Sequence, residues 1–265
     1  ARYFVTPENV DALILVIGLC RGEEKPFAVI GNGSNLLVSD QGYQGVVIST
    51  EKLDHCQVEG NQIRAEAGVK LARMAKQALE HGLAGLEFAA GIPGTVGGAL
   101  VMNAGAYGSE MKNVLVDAVL LTKDGAVIRR TGEELELGYR TSNIPIEGLT
   151  VLEAEVRLQL GDKTEILRVM NDLAAKRREK QPLEYPSAGS TFKRPEGYFA
   201  GKLIDDAGLR GFQVGGAQVS EKHCGFVINR NQATAADVEE LCRQVAEKVK
   251  EQSGVDLEME IKRLG

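Results

Sequence analysis

Eighteen residues, Gly91-Ile92-Pro93-Gly94-Thr95-Val96-Gly97-Gly98-Ala99 running on through Asn103-Ala104-Gly105-Ala106-Tyr107-Gly108, carry six glycines and one proline. Positions without a Cβ accept positive φ and let backbone N–H groups approach a ligand that side chains would keep away. An isolated glycine motif reads most plainly as a run of turns. Here a second cluster, Gly31-Asn32-Gly33-Ser34-Asn35, directly follows the apolar run Phe27–Ile30. Two backbone cradles on one chain point to one long ligand with a diphosphate.

Neither cradle has a familiar nucleotide-loop spacing. Gly31–Asn35 lacks the lysine and Ser/Thr of a Walker loop, and no G-x-G-x-x-G stands between strand and helix. A dinucleotide held mainly by loop backbone remains. The 265 residues, 43% of them hydrophobic, suffice for two or three compact units with a sizeable core. With 31 basic against 37 acidic residues the formal charge is −6, which argues against a general nucleic-acid surface, so an anion must meet a local site. No apolar run approaches the roughly 20 residues that span a bilayer and no signal-peptide pattern opens the chain, which therefore reads as cytoplasmic. Cys20, Cys56, Cys224 and Cys242 are scattered, and His55, His81 and His223 do not join them, so neither a disulfide framework nor a metal site is expected.

Thr6-Pro7-Glu8 predicts a helix start, with Val10, Leu13, Ile14 and Ile17 as its apolar stripe. Strands are expected at Phe27–Ile30, Leu36–Val38 and Val46–Ile48, and a hairpin around Gly60-Asn61. Val69–His81 has helical spacing; Leu115–Leu121 and Ala126–Ile128 flank a hairpin turn. Alternation from Leu152 to Leu160 predicts a strand with one buried face. Thr164–Lys180 predicts a helix with Leu167, Met170 and Leu173 on its apolar side and a basic end. After the break at 182–186 come a helix near Tyr198–Ala207, short strands, a helix from Thr234 to Gln252 and a strand over Val255–Ile261.

Several residues admit both an ordinary and a chemical reading. Arg140, in Tyr139-Arg140-Thr141-Ser142, is either a solvated loop arginine or a fixed charge for a carboxylate or a developing enolate. Arg177 and Lys180, three apart on one helix face, either complement the helix dipole or hold a phosphate. Ser190 lies in a small-residue turn with no base nearby, so it is a poor nucleophile but still a proton donor. Asp256, Glu258 and Glu260 share a strand face, and the pattern promotes none of them.

Six strings occur in order: GNGSNLLVSD (31–40), GLEFAAGIPGTVGGALVMNAGAYG (85–108), GYRTS (138–142), R-x-x-K-x-P from Arg177 to Pro182, AGSTFKRP (188–195) and L-E-x-E (257–260). On these strings the chain resembles the UDP-N-acetylenolpyruvoylglucosamine reductase family, flavoenzymes of peptidoglycan precursor synthesis, over nearly its whole length. The resemblance implies an α+β fold, with a two-part FAD-binding region of the vanillyl-alcohol-oxidase type and a C-terminal α/β substrate domain. It implies boundaries at 1–54 for the first FAD subdomain, with 258–265 returning to it, 55–181 for the second, and 182–257 for the substrate domain. FAD is expected to be non-covalent, with NADPH as co-substrate; the protein is expected to be a monomer with no nucleic-acid partner and no membrane insertion.

Carried onto matching positions, the resemblance makes Ser190 the proton donor and Arg140 and Glu260 the polar pair around the enolpyruvyl carboxylate. Gly31, Asn32, Gly33, Ser34 and Asn35 would hold the FAD pyrophosphate. Gly91, Ile92, Pro93, Gly94, Thr95, Gly97, Gly98, Asn103, Ala104, Gly105 and Tyr107 would lie along the cofactor. Tyr139, Arg177, Lys180 and His223 would line the substrate site. In the implied reaction NADPH reduces the flavin, hydride then reaches C3 of the enolpyruvyl group, and Ser190 protonates C2 to leave the lactyl ether.

The family usually has a further Thr- and Gly-rich segment ahead of the position of Ala1. The absence of an extra tyrosine-bearing insertion points to its shorter, second type. Arg194 stands where some members carry asparagine. Two other readings are a sugar or alcohol oxidase of the same FAD fold and a non-catalytic nucleotide-binding module. The first often tethers FAD through a histidine or cysteine, and neither occurs in Gly31–Asn35 or Gly91–Gly108.

Overall fold

The computed structural model describes residues 1–265 as two compact units, one made of residues 1–33 and 44–175, the other of residues 34–43 and 176–265. The fold class is α+β, as expected.

In the first unit a three-stranded parallel sheet has the order Tyr3–Val5, Val46–Ser49, Phe27–Ile30. Helix α1 (Val10–Gly22) packs Leu13, Ile17 and Cys20 with Ile48 and Leu53 of this layer. The helix begins at Asn9, whose side chain accepts from Ala12 N–H at 2.9 Å, and not at Thr6. Asparagine caps as well as threonine, and Asn9 directly precedes the buried stripe.

A five-stranded antiparallel sheet follows, in the order Val127–Thr131, Leu115–Leu121, Thr150–Arg157, Gln62–Glu66, Cys56–Glu59. Its inner face packs Ala154, Val156 and Ile63 in one cluster with Leu71 and Met74 of α2 (Leu71–Glu80) and Val96 and Leu100 of α3 (Val96–Val101). On Thr150–Arg157 the intervening residues Glu153 and Glu155 meet Arg64 at 3.3 and 2.7 Å. The alternation stops at Leu158: the chain leaves this sheet to pair Gln159–Leu160 with Leu83–Ala84, and Leu160 is 84% exposed.

A short helix, α4 (Ile144–Glu147), precedes α5 (Lys163–Lys180). On α5 the buried position is Ile166 and Leu167 is exposed, so the inward stripe is Ile166, Met170 and Leu173, one residue earlier at its start than the spacing predicts.

In the second unit a four-stranded antiparallel sheet runs Ser187–Ser190, Phe226–Asn229, Ala217–Val219, Gln213–Val214. Helices α6 (Ala200–Asp206) and α7 (Ala235–Ser253) close its core through Ile204, Leu241, Val245 and Val249. Thr234 and Asp237 form a capping box at the start of α7. The strand expected over Val255–Ile261 is only an isolated bridge, Met259 with Phe192; the regular strand is Lys262–Leu264, parallel to Leu36–Val38. That pairing places 34–43 with the C-terminal part.

Candidate functional site

The first unit brings Gly31–Gly33 of the first glycine cluster against the second cluster, while Ser34 and Asn35 belong to the second unit. Gly31 ends the strand Phe27–Ile30, and a Cβ built on it would lie 2.1 Å from Thr95 Oγ1, so only glycine fits. Asn32 Nδ2 donates to the Pro93 carbonyl at 2.7 Å. Three backbone bonds join the glycine stretch to the start of α2 and the residues that lead into it: Leu71 N–H to Gly94 O at 3.0 Å, Val96 N–H to Val69 O at 2.9 Å and Gly97 N–H to Ala67 O at 2.8 Å. Gly97 must also be small, because its Cβ would approach Ala67 to 3.1 Å.

Thr95 stands at the N-cap of α3 without capping it; its hydroxyl is buried and has no hydrogen-bond partner in the protein. A buried hydroxyl without a partner is costly in an apo protein and is explained where a ligand supplies the partner. This orphan faces Gly31, while Gly33 at φ +67 has open space where a side chain would stand. A backbone-lined surface with one unmatched hydroxyl fits a diphosphate dinucleotide. Gly31→Ala is expected to displace Thr95, destabilise the fold by about 1–3 kcal/mol and release FAD, as read by thermal unfolding and retained flavin absorbance.

The same unit fixes Arg140. Gly138 and Thr141 form an isolated antiparallel bridge, and Arg140 sits in the turn between them at φ +54. Arg140 Nη2 donates to Gly105 O at 3.0 Å, and its guanidinium carbon lies 5.2 Å from the Tyr139 ring centre. Arg140 is half-buried and attached to the glycine stretch, which sets aside the reading as a solvated loop arginine. Buried Ser142 anchors the far side of the turn through Oγ to Val101 O at 2.9 Å. Asn103, expected along the cofactor, has a wholly buried side chain engaged by backbone at both ends.

In the second unit Ser190 ends the strand Ser187–Ser190. The pairing with Phe226–Asn229 shifts register between Ser187 and Ser190, and Gly189 at φ +85 lies within that irregularity. Bulges re-aim the side chains that follow them, and the Ser190 side chain is exposed. Thr191 is buried and accepts from Val227 N–H at 2.8 Å, which holds the strand end from inside.

Glu260 N–H donates to Thr191 O at 2.8 Å, and Asn35 Nδ2 donates to Glu260 O at 3.3 Å. These bonds hold the backbone of Glu260, and the three acidic residues that the alternation left equal differ in their surroundings. Asp256 pairs with Lys250 at 2.7 Å and the exposed Glu258 with Lys193, whereas half-buried Glu260 is tied to the residue after Ser190. These tethers link residues far apart in sequence, which periodicity does not register.

Arg177 is half-buried, with Nε donating to Gln181 Oε1 at 3.0 Å, and Lys180 is exposed. Gly225 N–H donates to His223 Nδ1 at 3.0 Å, so the neutral ring carries its proton on Nε2. Burial first, and then the charges of Arg210 and Lys180, hold the His223 pKa below its ordinary value of 6.5. A group whose folded pKa is depressed stabilises the fold above its ordinary pKa and loses that contribution as pH falls through the folded value. Thermal stability is therefore expected to fall as pH drops below about 6.5, and His223→Asn to flatten that slope in a pH series of unfolding temperatures.

Within the first unit, a backbone cradle with an unmatched hydroxyl and a guanidinium fixed to it suits a diphosphate dinucleotide such as the cofactor of a flavin-binding oxidoreductase. Residues 1–131 match the FAD binding domain family, and residues 181–264 match the family described as UDP-N-acetylenolpyruvoylglucosamine reductase, C-terminal domain. The reductase of Oceanobacillus iheyensis is 50% identical over 265 residues, covering 100% of this chain and 86% of that protein. The reductase of Agathobacter rectalis is 53% identical over 282 residues, covering 100% and 88%. The crystal structure of the enzyme from Thermus caldophilus superposes with a TM-score of 0.84 at 38% identity, covering 98% of this chain and 92% of that one. The chain belongs to the UDP-N-acetylenolpyruvoylglucosamine reductase family, and its cofactor is FAD.

Proposed function

We propose that this protein reduces the enolpyruvyl group of UDP-N-acetylglucosamine enolpyruvate to the lactyl ether, giving UDP-N-acetylmuramate for peptidoglycan, with NADPH as reductant. Identity of 53% to a named reductase across the whole chain carries this reading. No helix is long and apolar enough to cross a membrane, consistent with action on a nucleotide-linked, water-soluble substrate. Each of the three main sheets lies within one of the three parts expected, 1–54, 55–181 and 182–257, whereas the packing groups the chain into two compact units and puts 34–43 with the C-terminal one.

FAD, when bound, supplies the carrier that takes hydride from NADPH and delivers it to carbon. Gly31, Gly33 and Thr95 would hold its diphosphate region, leaving backbone and one hydroxyl against it. Arg140 supplies a permanent charge for the substrate carboxylate and for the negative charge that builds as C3 receives hydride. Its half-buried setting strengthens that interaction relative to bulk water. Glu260 completes the polar surroundings of that carboxylate.

Ser190 gives its hydroxyl proton to C2. A carbanion-like carbon is basic enough to take it despite the high pKa of an alcohol, and an ionised carboxylate has no proton to give. The serine oxygen is then reprotonated from solvent, which its exposure permits. Arg177 and Lys180 counter the charge of the uridine diphosphate, and Tyr139 and His223 complete the substrate surface.

The deciding experiment is anaerobic flavin absorbance. The FAD-loaded protein is reduced with NADPH, and UDP-N-acetylglucosamine enolpyruvate is then added. Reoxidation only on that addition is the expected result; a flavin that stays reduced after the addition, and that in separate samples is reduced by a sugar and reoxidised on admitting oxygen, would favour the oxidase reading.

A further inference from the structure

Behind the glycine stretch, Asn103 is 0% exposed and adopts φ +41. Its side chain serves two segments: Oδ1 accepts from Lys112 N–H at 2.9 Å, and Nδ2 donates to Gly138 O at 3.0 Å. Gly138 opens the turn that carries Arg140. The turn's own closure consists of Gly138 N–H to Thr141 O at 3.1 Å and Thr141 N–H to Gly138 O at 3.4 Å. The second of these is long, so the shorter bond to that carbonyl comes from Asn103.

The two residues inside the turn, Tyr139 and Arg140, give it no local reason to form. A position at φ +54 ordinarily takes glycine or asparagine, because an L side chain there meets the following carbonyl. External anchors therefore determine the conformation. Ser142 supplies one beyond the turn and Asn103 supplies the other before it. Arg140 Nη2 itself reaches back to Gly105, two residues from Asn103, which closes a ring of contacts between the turn and the glycine stretch.

We propose that Asn103 is a positioning residue for Arg140: its amide group holds the Gly138 carbonyl, and with it the Tyr139–Arg140 turn, in register with the glycine stretch. The proposal deepens the assignment of Arg140 to the developing charge and rests on it. Because the Asn103 side chain is wholly enclosed by protein, it acts through Arg140 and not by touching cofactor or substrate. Loss of its donor acts on the half-reaction that needs Arg140. Misplacing a catalytic group by about 1 Å lowers a rate by about 10²-fold.

The test uses the full chain loaded with FAD. Asn103→Asp keeps the size, the tolerance of positive φ and the acceptor for Lys112 N–H, but presents an acceptor to the Gly138 carbonyl. Asn103→Gly keeps the backbone conformation and removes both side-chain bonds. In both variants FAD retention and the rate of flavin reduction by NADPH are expected to stay within about twofold of the parent. Reoxidation by the enolpyruvyl substrate is expected to slow about 10²-fold, as a fall in kcat larger than the rise in KM. Parallel slowing of both half-reactions with loss of FAD would reduce Asn103 to scaffold and overturn the proposal. Arg140→Ala, measured alongside, separates the two levels. If it reoxidises at the parent rate, the role of Arg140 itself falls; if it is slow while both Asn103 variants match the parent, only the positioning role falls.

Discussion

Ser190→Ala is expected to retain FAD, to be reduced by NADPH at the parent rate, and to stall on addition of the enolpyruvyl substrate, with the second half-reaction slowed by about 10²–10⁴-fold. The size follows from what general acids contribute when the group is correctly placed. The selectivity follows from where the serine stands: it lies in the second unit, on a strand end whose hold comes from Thr191 and the backbone and not from its own hydroxyl. Removing the exposed Oγ therefore leaves the strand intact. Ser187→Ala, an exposed serine on the same strand, is the control and is expected to turn over normally. Single-turnover absorbance, recorded once with NADPH and once with the enolpyruvyl substrate, reads both halves. Normal reoxidation in Ser190→Ala would remove serine from the mechanism.

That strand end also marks where sequence stops informing about structure. The strands Phe27–Ile30 and Leu36–Val38, the hairpin at Gly60-Asn61 and the long C-terminal helix are legible because propensity, periodicity and turn residues agree locally. The cap pattern points to Thr6 while the helix starts at Asn9, three residues on, because two good caps compete within one turn. Leu160 continues an alternation but leaves its sheet, since pairing partners and not side-chain pattern decide where a strand ends. The site behaves likewise. Glycine density announces both cradles, but their junction depends on Asn32 and Pro93, sixty-one positions apart. The family strings name Ser190, Arg140 and Glu260, whereas the contacts that hold them, from Thr191, Asn35, Ser142 and Asn103, join segments with no shared period. The resemblance places Asn103 along the cofactor, but its bond to Gly138, thirty-five positions away, leaves no mark in the sequence.

Arg140→Gly and Arg140→Ala are expected to lose the second half-reaction to the same extent, about 10²–10³-fold, and to differ in stability. Both remove the guanidinium and its bond to Gly105, so those losses cancel between them. What remains is the backbone: at φ +54 alanine keeps the clash of its Cβ and glycine does not. Glycine should then unfold later, by about 1 kcal/mol, although its wider unfolded ensemble offsets part of the gain. Arg140→Lys sharpens the chemical half of the result. It keeps a positive charge but loses the planar fork that can hold Gly105 O and a carboxylate together, so it should recover only part of the rate. Thermal unfolding of the three variants, with reoxidation rates on the same samples, checks both parts. A more stable glycine variant that is as inactive as alanine would mean that the left-handed turn is kept for the placement of the arginine, with local strain tolerated because the surrounding anchors over-determine it. Equal stability of the two would locate the constraint in the side-chain contacts alone.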